Sequence, residues 1–164
     1  METIPFLTKE DVASLDSLLL DYLQKSEATL TVVIDKGGTV IAQQGEMGSI
    51  DVTIVAALAA GSFAATKELA RRIGEMEFSA LYHQGKGQHI FMSALDEHTI
   101  IITVFGEKTT VGLVRFYTVN ISAPLAALLE TLRKRDASES PFALMEAEEP
   151  ALAGDAVSAD KLFV

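Results

Sequence analysis

From Val52 to Thr66 the chain runs fifteen residues without a charge, "VTIVAALAAGSFAAT", and continues as "KELARRIGE". Asp51 stands where an N-cap acceptor is wanted, good helix formers fill the run, and Gly74 stands where a helix end takes a left-handed residue. A long helix over this stretch is therefore expected. Its apolar positions fall on two faces, Ile54, Leu58, Ala65 and Leu69 on one and Val55, Ala59, Phe63 and Ala70 on the other. A sheet covers one helical face, so a helix apolar on two must be covered twice. Two covers are open: wrapping by the rest of the chain, or the same helix of a second copy across a twofold axis. Ala56, Ala57, Ala59, Ala60, Gly61, Ser62 and Ala64 permit close backbone approach, and the twofold dimer is the favoured reading.

The rest of the pattern is that of an α+β domain. Thr8 with Asp11 forms a capping signal ahead of Val12, Leu15, Leu18, Leu19, Tyr22 and Leu23, which recur at helical spacing. "TLTVVID" and "TVIAQQ" are β-branched runs joined by Lys36-Gly37-Gly38 and predict a hairpin. "SALYHQGK", "HIFMSAL" and "TIIITVF" predict three more strands in a meander. "GLVRFYTVN" fits a strand by composition and a helix by the spacing of Val111, Val114, Tyr117 and Ile121, and periodicity alone leaves it open. "APLAALLETLRKR" is helical. The order helix, two strands, helix, three strands, helix implies a five-stranded antiparallel sheet between helices.

Apolar residues make up 49% of the 164 and charged ones 22%, the composition of a globular chain with one core. The uncharged run holds too few strongly apolar residues for a membrane span, and "METIPFLTKEDV" lacks a basic, apolar leader, so a soluble cytoplasmic protein is expected. There is no cysteine, which removes disulfides and thiolate metal sites. A net charge of −10 argues against nucleic acid and anionic lipid as partners. That charge is uneven: from Asp136 onward seven acids face Lys161 alone, a net of −6. The expected organisation is a domain over 1–135 followed by an acidic, flexible tail over 136–164.

No constellation for catalysis emerges. Gly85 and Gly87 lie in a hairpin rather than between a strand and a helix, His83, His89 and His98 lack metal-ligand spacing, and Glu75 and Glu77 read as solvated charges. Neither a cofactor nor a metal is expected. What remains are surfaces. Ala57, Ala60, Ala64 and Glu68 form a third stripe of the long helix, which ends in Lys67, Glu68, Arg71 and Arg72; it reads equally as a docking surface and as a solvated face. In the tail, Phe142, Leu144, Met145, Leu162 and Phe163 are apolar anchors spaced by acids and small residues, a pattern suited to segments that order on binding.

"ALAAGSFAATKELARRIGEMEF", then "HQGK", then "TIIITVFGEKTTVGLVRF" resemble the Roadblock family of dynein-light-chain-like domains, in its bacterial MglB type. The likeness runs from about Thr8 to Arg135, and "SPFA" and Leu162-Phe163 extend it into the tail. It implies a profilin-like sheet and a homodimer made by the long helices and by edge pairing of the middle strands, with Val55, Ala59, Phe63, Ala70, Tyr82 and His83 at the interface; whether dimers assemble further stays open. It implies one uninterrupted helix over Thr110 to Arg135, in which Pro124 predicts a kink or break near 120–124. The implied function is regulation of a small Ras-like GTPase of the MglA type, which marks a cell pole in moving or polarised bacteria. Such regulators accelerate hydrolysis by holding the switch conformation, without donating an arginine finger. The stripe with Ala57, Ala60, Ala64, Lys67, Glu68 and Arg71 would face the GTPase. Phe142, Lys161, Leu162 and Phe163 would reach a separate surface and tune affinity or exchange. The rival readings are a passive scaffold and a profilin-shaped ligand sensor.

Overall fold

A computed structural model describes residues 6–139. In chain order the elements are α1 (Lys9–Ser26), β1 (Leu30–Asp35), β2 (Val40–Gly45), α2 (Val52–Arg72), β3 (Ala80–Gln84), β4 (His89–Ala94), β5 (Thr99–Phe105) and α3 (Val111–Glu139). All five strands join one antiparallel sheet in the order β2-β1-β5-β4-β3, with α2 on one face and α1 and α3 on the other. This is the α+β architecture expected from the sequence.

The two central strands set the layers. Leu30, Val32 and Ile34 of β1 and Ile100, Ile102 and Val104 of β5 point to α2, where they meet Ala56, Ala59, Ala60 and Phe63. Their neighbours Val33 and Ile101 point the other way, onto Leu15, Leu19, Ile121, Leu125, Leu129 and Leu132. Strands apolar on both sides lose their alternation, which is why "TLTVVID" and "TIIITVF" read as continuous apolar runs. Between the sheet and the α1/α3 layer, the Tyr22 hydroxyl is 2.7 Å from Thr103 Oγ1 and 2.9 Å from Thr118 Oγ1, so three buried hydroxyls satisfy one another.

Caps fall where the sequence puts them. The Asp11 amide donates to Thr8 Oγ1 at 3.2 Å and the Thr8 amide to Asp11 Oδ2 at 2.7 Å, a complete capping box on α1. Asp51 Oδ1 accepts the Thr53 and Ile54 amides at the start of α2. Gly38 has φ 93 in the β1–β2 turn, and a Cβ there would lie 3.0 Å from the Ala57 Cα, so the turn sits directly against α2.

The ambiguous segment is helical, because Val114, Thr118 and Ile121 are buried at helical spacing and the Leu113 amide donates to Thr110 Oγ1 at the start. The break expected near Pro124 is absent: α3 runs through it to Glu139, past the boundary expected at Arg135. Pro124 and Asn120 both face solvent, where a carbonyl that proline leaves without a donor costs least, while Ile121 and Leu125 hold the helix on the sheet. By length and mean hydropathy (1.3) α2 and the Val111–Arg135 stretch reach what a membrane span needs, more than the sequence reading allowed. Each nonetheless lays one face on the sheet.

Two ion pairs fasten the end of α3. Arg135 grips Asp11 with both guanidinium nitrogens, at 3.0 and 2.5 Å, and Arg133 donates to Asp96 in the β4–β5 turn. Arg135, then the Thr8 amide, holds the Asp11 carboxyl far below the usual carboxylate range. Burial alone would raise Asp96, but Arg133, the His98 amide and the Thr99 hydroxyl outweigh it and hold that carboxyl low as well. A carboxyl depressed by folding contributes fully above its unfolded value of about 4 and loses that contribution as pH falls below it. Urea midpoints taken down a pH series should fall in that acid range, and Asp96→Asn should be less stable at neutral pH with a shallower acid limb. Pro124→Ala, which restores a helical N–H, should raise stability by about 1–3 kcal/mol in the same denaturation measurement.

Candidate functional site

The three faces of α2 divide cleanly in space. Ala56, Ala59, Ala60, Phe63 and Ala70 are buried. This corrects two expectations from the sequence. Ala59, Phe63 and Ala70, assigned to a dimer interface, are spent inside their own subunit, with Val55 half-buried beside them, because this is the face the sheet takes. Ala60, placed on the docking stripe, lies under the sheet for the same reason. The second apolar face is the outward one: Leu58 is 69% exposed, Leu69 61% and Ile73 79%, with Ile54 and Met76 also exposed. Gly61 lies on the same side, and a Cβ there would meet nothing within 4 Å.

The third face is the one expected from the sequence to dock a partner. Ala57, Ala64, Lys67, Glu68 and Arg71 are exposed along it. Ala64, Lys67, Glu68 and Arg71 line a shallow depression of about 400 Å³, closed by Glu75, Met76 and Phe78. The Phe78 ring lies 5.0 Å from that of Phe63, which ties the segment after α2 to the core beneath. Glu68 accepts from Arg71 at 3.0 Å through both oxygens and from Arg72 Nε at 2.9 Å, and the two arginines, Arg71 first, hold its carboxyl below the ordinary value. At the hairpin turn, burial and then the neighbouring Lys67 hold the Lys36 ammonium below its usual value. Lys36, Lys67, Arg71 and Arg72 thus share this surface with Glu68 and Glu75, while Asp96 and Glu97 act on Lys36 from its other side. Lys36, Met76 and Phe78 were not anticipated. Gly38 beside Lys36 was the available signal, since a glycine needed for close approach brings its neighbours against the helix.

Of the strand residues assigned to an interface, His83 is exposed and Tyr82 half-buried, its ring 6.1 Å from that of Phe105. Both lie on β3, an edge of the sheet. Phe142, Lys161, Leu162 and Phe163 lie outside the described residues. Among the described residues no group of three or more His, Asp or Glu side chains is placed to hold a metal ion.

A Roadblock/LC7 domain model matches residues 15–105, more than half of the chain. The chain belongs to the Roadblock/LC7 family. Among solved structures, it is similar to MglB with a tetrameric arrangement (25% identity, TM-score 0.74, covering 80% of this chain and 99% of that one). It is similar to the gliding protein MglB of Thermus thermophilus (27%, TM-score 0.73, covering 80% and 99%) and to Myxococcus xanthus MglB (28%, TM-score 0.71, covering 77% and 95%). A profilin of Acanthamoeba castellanii, at 15% identity and TM-score 0.51 over 69% of this chain and 97% of that one, shares the fold alone. Comparison with curated proteins returned no match.

In a Roadblock chain built this way the two apolar faces of α2 should respond differently to a charge. Phe63→Asp should prevent folding, since it buries a carboxylate in the core. Leu58→Asp should leave the subunit folded with a cooperative unfolding transition, as an exposed position allows. Chemical denaturation of the two variants under one set of conditions checks the division.

Proposed function

We propose that this Roadblock protein is a homodimeric regulator of a small Ras-like GTPase of the MglA type, acting in the cytoplasm in bacterial cell polarity or motility. The observation that carries the reading is the outward side of α2, where a row of large exposed apolar residues runs beside a flank carrying Lys67, Glu68 and Arg71. Its resemblance to MglB structures along most of the chain supports it. Pairing two copies through Ile54, Leu58 and Leu69 would cover the face that the subunit leaves bare, at roughly 1.5–3 kcal/mol per large side chain fully buried. The β3 edges, with Tyr82 and His83, would extend the pairing into the sheet.

In such a dimer the flanks around Ala64 and Lys67 remain outside and present a shaped surface of charged groups of both signs. Docking there would favour the GTPase conformer whose own residues are aligned for hydrolysis. A ligand shifts an equilibrium by its differential affinity for the two states, so the regulator needs no active site of its own. The chemistry belongs to the GTPase, where positioning and electrostatic stabilisation supply the rate. The tail around Phe142 and Lys161 to Phe163 would reach a second surface of the GTPase and tune affinity or nucleotide exchange.

Phosphate release by an MglA-type GTPase, with and without the protein, tests the proposal. Acceleration is expected, with tighter binding to the GTP form than to the GDP form. Equal binding to both with no acceleration would instead make the protein a passive scaffold. Ala64→Arg, at the centre of the flank, should abolish GTPase binding in a pull-down or calorimetric titration while the dimer persists in sedimentation. Leu58→Asp should do the reverse to the dimer, yielding a folded monomer.

A further inference from the structure

A second apolar feature lies on the opposite side of the sheet from α2. Between α1 and α3 runs an open groove of about 190 Å³, floored by Leu18, Tyr22 and Tyr117, with Asn120 and Pro124 on one wall and Asp21 and Lys25 on the other. Beside it Phe116 and Val119 stand exposed on α3. Proline breaks the helical ladder here: Pro124 has no N–H, so the Asn120 carbonyl lacks its donor from the next turn, and both residues line the groove. The groove therefore combines apolar surface with a backbone carbonyl that has no helical donor.

We propose that Leu162 and Phe163 of this chain's own acidic tail dock in the groove between α1 and α3. The reach is what selects them. From Asn120 to Glu139 the helix rises roughly 28 Å at about 1.5 Å per residue. The twenty-two residues from Ser140 to Lys161 allow a reach of up to about 79 Å, at no more than about 3.6 Å per residue, so the anchors they carry can return to the groove. Phe142, three residues beyond the helix, reaches no more than about 11 Å and cannot return so far. On the groove rim Asp21 and Lys25 pair with each other at 2.7 Å, and the anchors are preceded by Asp160 and Lys161, also one charge of each sign, so the two pairs can exchange partners. Docked in this way, the anchors are withheld from any other surface until a partner outcompetes the groove.

The test needs no GTPase, so its outcome is separate from that of the proposed function. The chain has no cysteine, and Ala159→Cys gives a single site for a nitroxide label on the full-length protein enriched in nitrogen-15. The amide signals of Tyr117 and Asn120 should lose most of their intensity relative to the reduced label, and Leu162→Asp combined with Phe163→Asp should restore them while the rest of the spectrum stays unchanged. Full intensity in the labelled chain would overturn the proposal, as would a loss that survives the double substitution. A loss seen only when the nitroxide is on an isotopically unenriched copy mixed with the enriched chain would overturn it too, assigning the groove to the tail of a second copy.

Discussion

Burial of β1 and β5 on both faces is the constraint from which the other features follow. Val32 and Ile102 on one side and Val33 and Ile101 on the other are within about 1% of complete burial, which requires a helix layer on each face of a five-stranded sheet. Antiparallel sheets often leave one face wet; this one cannot. With α1 and α3 sharing one face, α2 alone covers the other and lies on it through alanines and one phenylalanine. Small residues bring the helix close to the sheet, but they use a narrow strip of its circumference, and Leu58 and Leu69 are left pointing away.

The exposed side of α2 is thus a consequence of how the inward side is built. A helix meant to be wholly covered within one subunit would need a further layer, and among the described residues none lies outside α2. Large apolar groups in a row on a surface mark an interaction site more often than a row of accidents. The flank with Lys67 and Arg71 lies around the helix from that row, so one helix can meet two partners at once without competition between them.

Much of this was legible in the sequence, and the failures have physical causes. Caps at Thr8, Asp51 and Gly74 and the continuous runs in β1 and β5 fix the element order, because these signals are local. Periodicity also separates the two faces of α2, but it carries no sign: Val55, Ala59, Phe63 and Ala70 and the set of Ile54, Leu58, Ala65 and Leu69 are equally apolar strings. The sheet takes the set with smaller residues, apart from Phe63, because close approach buries more of both elements. Size, more than hydrophobicity, was the missing clue. Pro124 misled for a related reason, since the cost of a proline within a helix falls when the freed carbonyl faces water, and exposure is a tertiary property. The depression beside Ala64 draws Phe78 and Met76 from the segment after α2, whose path no local pattern describes.

The arginines bear on how such a surface could act on a nucleotide-hydrolysing partner. The chain has five, and each is engaged within its own subunit. Arg133 and Arg135 fasten α3 to Asp96 and Asp11, far along the chain from α2. Arg115 lies over the Phe91 ring at 5.7 Å. Arg71 and Arg72, the two on α2, share the carboxylate of Glu68. Freeing either costs little, because exposed ion pairs contribute about 1 kcal/mol or less. Glu68 sets one negative charge against these two guanidiniums, so the cluster keeps one net positive charge on the surface of α2. A flank that pairs short apolar residues such as Ala57 and Ala64 with an ion cluster held at low cost can exchange its internal pairs for pairs with another protein surface.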